Sequence, residues 1–451
     1  MTAQYNAYYH SIVFEPSRCR GEMSCMRSCP VQAIRVRHGK ARMLEEKCID
    51  CGECIRACKN QAIVSLTQSF HNFSRFKYTV AIPSLTLYTQ FGRDVHPRAI
   101  LNSLKKVGFD EVVDITAACI SVVKAMECYI RDYSGRKPLL SSICPTCIKL
   151  IQNRYPGLLG SLIPVVSPME LAAREVKKEI MKRFGLLHEE IGVVYITPCP
   201  SKMLWIAHKV GELYSDIDGA IPISDIYNLL YDSIYQTHHG GGGNETEHYD
   251  IQGFGLNFAR MDGLVVMMKC EKYIPVAGIE NVIYVLDDIE RGKLSDVDLV
   301  EIHACHEGCL GGPMVPENVY LARNKLMDLI NQYGQKNIPV ARRDKYQGCE
   351  LFYKEFFKPL AAVAAKPPHM DTILDKINQR KQLFSRLPNI DCGACGSPTC
   401  LSFAEDVVNR DAQEEDCIFL HNEMLKEKLK AKIKDVLKLQ SELQERCGLG
   451  N

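Results

Sequence analysis

The sequence predicts an α/β chain in several parts: a small α+β front, an α/β body, a small cysteine-rich segment and a terminal helix. Three observations predict it. Residues 19–63 carry an internal repeat with an offset of 29. From residue 77 onward, apolar extended runs alternate with amphipathic stretches, the pattern of parallel sheets with helices on their faces. The final run, His421 to Gln444, is strongly helical in pattern.

Composition narrows the function. The chain has 451 residues, enough for two to four domains, and 46% of them are hydrophobic, as in ordinary globular proteins. A net charge of +1 gives no reason to expect nucleic acid or a membrane surface as a partner. Met1–His10 has no signal-peptide pattern and no apolar run is long enough to span a bilayer, so a cytoplasmic protein is expected. Twenty-one cysteines in such a compartment point to metal rather than disulfides.

In the front segment, Cys29-Pro-Val-Gln-Ala-Ile34 recurs as Cys58-Lys-Asn-Gln-Ala-Ile63. The second copy reads C-x2-C-x2-C-x3-C, the run of bacterial two-cluster ferredoxins, with zinc as the plain alternative. In such repeats the fourth cysteine serves the other cluster. One four-iron cluster is therefore expected on Cys48, Cys51, Cys54 and Cys29, and another on Cys19, Cys25 and Cys58. The residue standing opposite Cys51 is Glu22. Either Glu22 ligates an iron or the site holds a three-iron cluster; an exposed Glu22 beside an empty site is the bland alternative. Lys59 replaces the proline that follows the fourth cysteine in the first copy.

In the body, Tyr78–Ile82, Glu111–Ile115, Gly192–Thr197 and Gly263–Met268 read as strands, and Pro97–Val107 as an amphipathic helix. Sites in parallel α/β folds lie at the carboxyl ends of strands. Pro83-Ser84, Cys144 and Cys199 each follow such an end. The richest stretch is Glu301-Ile-His-Ala-Cys305-His-Glu-Gly-Cys309-Leu-Gly-Gly-Pro313. Two thiolates at that spacing reach one metal centre, and the glycines let the backbone pass close to a bulky inorganic group. Further ligands must come from elsewhere; Cys144 in Ser141-Ser-Ile-Cys-Pro-Thr146 and Cys199 in Ile196-Thr-Pro-Cys-Pro-Ser-Lys202 are the candidates.

These three stretches resemble the catalytic domain of the [FeFe] hydrogenase large-subunit family, whose patterns read roughly TSCCPxW, MPCxxKxxE and ExMxCxGGCxxGG. The match covers roughly residues 77–325 in the family's order. The resemblance implies a two-lobed α/β domain holding an H-cluster. In it, Cys144, Cys199, Cys305 and Cys309 would bind a cubane, with Cys309 bridging to a diiron subsite that carries CO, CN and a dithiolate. It further implies that Pro83-Ser84 and Lys202 hydrogen-bond the cyanide ligands, and that Ile143 and His303 stand at functional positions. It brings hydrogen and protons as substrates, a redox partner such as ferredoxin, and maturation proteins.

The departures fall on proton chemistry. The family's proton-relaying cysteine is Ile143 here, and isoleucine neither donates nor accepts a proton. The tryptophan of the first pattern is absent, and the methionine-type positions read Thr197 and His303. His303 is either a relay, a hydrogen-bond donor to a ligand, or a packed core residue. The helix after Asp114 has Glu127 but no obvious acidic pair for a proton path.

Cys392, Cys395, Cys400 and Cys417 form a third group, C-x2-C-x4-C-x16-C, resembling the small four-iron domain of several redox and corrinoid proteins, with a zinc knuckle as the alternative. Leu425, Leu429, Val436, Leu439 and Leu443 then fall at heptad a/d positions, interrupted by Lys432, so either a coiled-coil homodimer or a docked amphipathic helix is expected. The expected divisions are 1–70 (two-cluster front), 77–340 (H-cluster domain), 341–388 (helical connector), 389–418 (four-iron domain) and 419–451 (terminal helix). His238-His-Gly-Gly-Gly-Gly-Asn244 reads as a surface insertion.

The set as a whole resembles the sensory-type branch of the family, without a PAS domain, which implies output through a partner protein. Low-turnover hydrogen chemistry serving hydrogen or redox sensing is the expected function. An electron-transfer or Fe–S assembly protein lacking the diiron subsite is the alternative, and a fast metabolic hydrogenase is disfavoured by Ile143.

Overall fold

The computed structural model describes residues 10–66, 70–208, 215–238, 249–268, 270–334, 351–353, 357–358 and 370–446. The loop at 239–244, Cys349, Cys447 and most of the stretch from 335 to 369 lie outside the described residues. The chain divides into two compact units. The first contains Met1–Val13, Cys48–Arg56 and Ile63–Ala361; the second contains Phe14–Lys47, Ala57–Ala62 and Ala362–Asn451.

The first unit is built on two parallel sheets. One has four strands in the order Glu111–Val112, Tyr78–Pro83, Ile191–Thr197, Gly219–Pro222. Its register runs from Tyr78 opposite Ile191 to Pro83 opposite Ile196. The strand Ile191–Thr197 is buried along its whole length, as a strand covered on both faces must be. The other sheet orders Tyr273–Ala277, Leu299–His303 and Leu139–Leu140. Helices alternate with the strands. Pro97–Val107 begins at a His96 cap whose ring nitrogen accepts from Arg98 N at 3.3 Å, and it ends at Gly108, φ 126°.

Two expectations change. Gly263–Met268 is not a strand; Gly263–Met267 is a short helix that starts after Asp262 at φ 63°. A six-residue apolar run has no periodicity that separates a strand from a helix turn. Only Glu111–Val112 of the second expected strand is extended, because Asp114 accepts from Tyr88 Oη at 2.7 Å and from Thr116 N at 2.9 Å, which starts the helix Thr116–Asp132.

The offset-29 repeat persists in the backbone. Left-handed residues recur in pairs: Gly21 (φ 71°) and Asp50 (φ 52°), Met23 (φ 62°) and Gly52 (φ 82°), Gln32 (φ 53°) and Gln61 (φ 49°). The sulfurs repeat as well. Cys29 Sγ accepts from Ala33 N at 3.2 Å, and Cys58 Sγ from Ala62 N at 3.3 Å. In the second unit the strand Ile34–Arg37 pairs antiparallel with Lys40–Met43, and the helices Met370–Arg386, Cys400–Val408 and Ile418–Arg446 follow.

One buried ionic group holds the segment Cys48–Arg56 to the rest of the first unit. Asp50 has no exposed side-chain surface and meets His10 Nδ1 at 2.8 Å, Lys149 Nζ at 2.5 Å and Ser11 N at 3.0 Å. Burial works against its charge, but the His10 and Lys149 partners outweigh burial and lower its pKa below 3.8. A lowered carboxylate stabilises the fold above its unfolded value, and that stability is lost as pH falls through the folded value. Asp50→Asn leaves Lys149 uncompensated. It is expected to cost about 3–5 kcal/mol, read as a lower denaturant midpoint at neutral pH, with the gap closing in acid. An unchanged midpoint would count against this role.

Candidate metal centre

The prolines beside the candidate cysteines have a local purpose. Pro145 opens the helix Pro145–Arg154 with Cys144 as its N-cap, and Pro200 opens Pro200–His208 directly after Cys199. Proline suits the first helical position, and the helix N-terminus favours a thiolate at the residue before it. Cys144 follows the strand Leu139–Leu140, Cys199 follows Ile191–Thr197, and Cys305 follows Leu299–His303. Three strand ends thus deliver three cysteines to one place.

Electrostatics record the convergence. Burial, then Cys199, Cys144 and Cys309, raise Cys305 well above the ordinary thiol range. Burial pushes Cys199 up to about 12, with Cys144 and Cys309 acting in the same sense against Lys202. Cys144 alone is lowered, to about 5, chiefly because the Cys147 thiol donates to it. Cys147 is buried and is itself raised by burial and by Cys144, Cys305 and Cys199. Cys147, which is not one of the four candidate ligands, is a fifth thiol of the group, one helical turn after Cys144. Soft donors of which Cys199 and Cys305 resist ionising beside their neighbours suit a metal cluster, whose charge removes that resistance. The donor set therefore fits a cubane.

The turn after Cys305 is closed by contacts within the protein. Gly308 (φ 69°) lies where a Cβ would meet Arg260 C and Met261 N at 2.8 Å. At Gly312 a Cβ would meet Pro198 O at 2.5 Å, and Met314 N donates to that same carbonyl at 3.1 Å. The sequence reading gave these glycines to the inorganic group. The structure uses Gly312 to bring the Cys309 turn onto the Cys199 turn.

Beside the thiols is a cleft of about 530 Å³, counting the open space at its mouth. Cys309, Lys202, Ser84 and Tyr195 supply its polar wall; Ile143, Ile115, Met169, Trp205 and Phe258 supply apolar surface. Lys202 Nζ lies 3.4 Å from Cys309 Sγ and 5.8 Å from the Tyr195 ring centroid. Burial opposes its charge, but Cys309, Tyr195 and Cys199 outweigh burial and raise Lys202 well above the usual lysine range. Ser84 follows Pro83 at the end of Tyr78–Pro83, where its N donates to Ile196 O at 2.9 Å. A cationic, hydroxyl-bearing wall beside one cysteine fits a small anionic metal unit.

Trp205, the chain's single tryptophan, is absent from the pattern around Cys144 yet reaches the cleft from the helix of Lys202, three residues on. That i, i+3 spacing was the available signal. His303 is buried but does not line the cleft. Its Nε2 pairs with Glu301 Oε1 at 2.6 Å, and Tyr273 donates to the other carboxylate oxygen. Burial lowers and Glu301 raises its pKa, with the carboxylate prevailing.

The segment Cys48–Arg56 packs on the turns that carry the candidate ligands. Arg56 Nη2 donates to Gly311 O at 2.6 Å. Ser201 Oγ donates to Asp50 O at 3.1 Å and meets Thr146 Oγ1 at 2.7 Å. At Gly52 a Cβ would meet Pro313 Cγ at 2.5 Å. Cys48, Cys51 and Cys54 therefore lie in the same unit as the cleft, while Cys29 belongs to the other unit.

In the second unit Cys19, Cys25 and Cys58 act on one another; burial, then Cys58 and Cys19, push Cys25 up to about 11. Glu22 is exposed and is not among the principal charges acting on Cys25. Cys392, Cys395, Cys400 and Cys417 line one cavity of about 330 Å³, its open space included. Arg37 anchors that segment to the strand Ile34–Arg37, donating to Cys395 O at 2.6 Å and Ser397 Oγ at 2.8 Å.

Comparison with known proteins agrees with this geometry. Residues 77–238 and 256–313 match the family described as "Iron only hydrogenase large subunit, C-terminal domain". Residues 11–59 match a 4Fe-4S dicluster domain and 387–419 an Fe–S cluster family. Iron hydrogenase 1 of Clostridium pasteurianum is 28% identical over 148 residues, 32% of this chain and 26% of that protein. The NADP-reducing hydrogenase subunit HndD of Solidesulfovibrio fructosivorans is 21% identical over 383 residues, 70% of this chain and 64% of that protein. The cytosolic Fe-S cluster assembly factor NAR1 homolog of Schizosaccharomyces japonicus is 22% identical over 231 residues, 43% of this chain and 44% of that protein. The chain thus spans less than two thirds of the length of each. Among the described residues no helix is long and apolar enough to cross a membrane. By its matched domains, the chain is an Fe–S protein that carries the C-terminal domain of the iron-only hydrogenase large subunit, with a dicluster segment before that domain and a further Fe–S segment after it.

Proposed function

We propose that the chain holds an H-cluster, with the cubane on Cys144, Cys199, Cys305 and Cys309 and the diiron unit in the cleft. It would carry out reversible hydrogen oxidation at low turnover, in the service of hydrogen or redox sensing. The observation that supports this best is the cleft itself, where Lys202 Nζ stands 3.4 Å from Cys309 Sγ while Ile143 forms part of the wall. When bound, the cluster supplies the place where the H–H bond is made or broken. The residues supply the rest. Lys202 offers a cationic donor and Ser84 a hydroxyl toward anionic ligands. Ile115, Met169 and Phe258 keep water from the wall. Ile143 holds no proton to pass on, which would slow turnover without preventing hydrogen binding.

In this reading electrons enter through the 4Fe-4S dicluster segment, from a redox partner such as ferredoxin, in the cytoplasm. Maturation proteins would install the diiron unit, and a partner protein would take the signal. Infrared spectroscopy after maturation tests it, because CO and CN bands must appear in the loaded chain. Their absence from chain that carries a full cubane would overturn it. That outcome would favour the second reading, an electron-transfer or Fe–S assembly protein, which the resemblance to the NAR1 homolog supports.

The site of Cys19, Cys25 and Cys58 is proposed to hold a three-iron cluster, since Glu22 is exposed. Glu22→Cys is expected to replace the oxidised three-iron EPR signal with a reduced four-iron one, and Glu22→Ala to leave the signal unchanged. Loss of the cluster in Glu22→Ala would mean that the carboxylate ligates after all.

A further inference from the structure

Among the described residues, the helix Ile418–Arg446 is anchored at its base. Leu420 is 1% exposed and packs with Leu383, Leu387 and Phe403. Every residue from Leu425 to Leu443 is exposed. Five of them, Leu425, Leu429, Val436, Leu439 and Leu443, lie on one stripe with exposures of 50–60%. Ile433 flanks that stripe at 51%. A long helix with a bare apolar seam gains little from its own packing and invites a partner.

We propose that the partner is a second copy of this chain and that the two helices pair antiparallel. Charge decides the occupant and the direction. His421, Lys428, Asp435 and Glu442 recur every seven residues along one flank of the seam. In a parallel, in-register pair, the flank residue of one helix meets the opposite flank of the other five residues on. Lys428 would then face Ile433 and Asp435 would face Gln440, with no ion pair formed. In an antiparallel pair that places Leu425 against Val436, the like flanks meet. Lys428 then faces Asp435 and His421 faces Glu442, each twice by the two-fold axis. Lys432, the break in the seam, meets Leu429 there, where its methylene stem covers the leucine and its ammonium reaches water. The same chain therefore supplies both the apolar face and the complementary charges. The pairing puts the two Cys417 residues at opposite ends of the joined helices, about 40 Å apart at 1.5 Å per residue.

The test uses the full chain with its clusters, followed by sedimentation over a concentration series. The wild type is expected to dimerise. Lys428→Glu and Asp435→Lys should each weaken the dimer roughly tenfold, because two attractive pairs become repulsive. Joining both changes in one chain should restore the wild-type constant. Mixing the two single variants should give a mixed dimer tighter than either alone. Helix content and the visible absorption of the clusters should be unchanged throughout. A monomeric wild type overturns the proposal. So does a dimer that Leu429→Asp with Val436→Asp dissociates but that the charge swaps leave untouched, since that pattern belongs to a parallel seam.

Discussion

Replacing Lys202 by methionine is expected to lower diiron occupancy about 10–100-fold while leaving the cubane in place. The cleft brings the Lys202 ammonium to 3.4 Å from Cys309 Sγ. Methionine keeps the length and the apolar stem of the side chain and removes only the charge and its donors. An anionic unit in the cleft would then lose its charge-assisted hydrogen bond. Of the four proposed cubane ligands it is Cys309 that the ammonium meets, at 3.4 Å; Cys144, Cys199 and Cys305 would still hold the cubane, so four-iron absorption should persist. The metal-free chain gives the control. Cys309, Tyr195 and Cys199 outweigh burial and hold Lys202 charged, so Lys202→Met should cost some thermal stability before maturation as well. The measurement is infrared band intensity per cubane iron. Equal intensity in the variant and the wild type would remove Lys202 from the site's chemistry.

Ile143→Cys is expected to raise hydrogen turnover by roughly 10², the lower end of what a positioned proton donor contributes. Ile143 lines the cleft together with Cys309, so a thiol there would face the proposed diiron unit. The lower end is chosen because the onward path is incomplete. Ser142 and Ser167 border the cleft, but neither titrates near neutral pH. Rates must be compared at equal occupancy, judged from the infrared bands. If the matched variant is no faster, proton delivery does not limit the wild type at Ile143. A wild type that already turns over like a metabolic hydrogenase would remove the main support for a sensing role.

The candidate ligand groups were legible in the sequence because metal spacing is local. Cys48, Cys51 and Cys54 are set by a short turn, and the same turn recurs 29 residues earlier with the same left-handed backbone positions. Pro97–Val107 was legible because helical periodicity and its terminal glycine agree. Gly263–Met267 was not, since a short apolar run suits either periodicity and its Asp262 start depends on tertiary packing. Cys147 was visible only as a cysteine near Cys144; its place beside Cys305 and Cys199 depends on segments far along the chain.

By itself the sequence determined which residues could ligate metal, that the body alternates strand and helix, and that position 143 holds an isoleucine with no proton to exchange. These follow from side-chain type and from spacings of a few residues, which the backbone honours wherever it lies. Only the tertiary structure decided which ligands meet. It placed Trp205 in the cleft, turned His303 toward Glu301, and used Gly312 to join the Cys199 and Cys309 turns. It also set Cys48–Arg56 against Gly311 and Ser201 rather than leaving it in a separate front domain. Apart from His303 with Glu301, those pairings join residues more than a hundred positions apart, and they are fixed by shape and burial that no local pattern encodes.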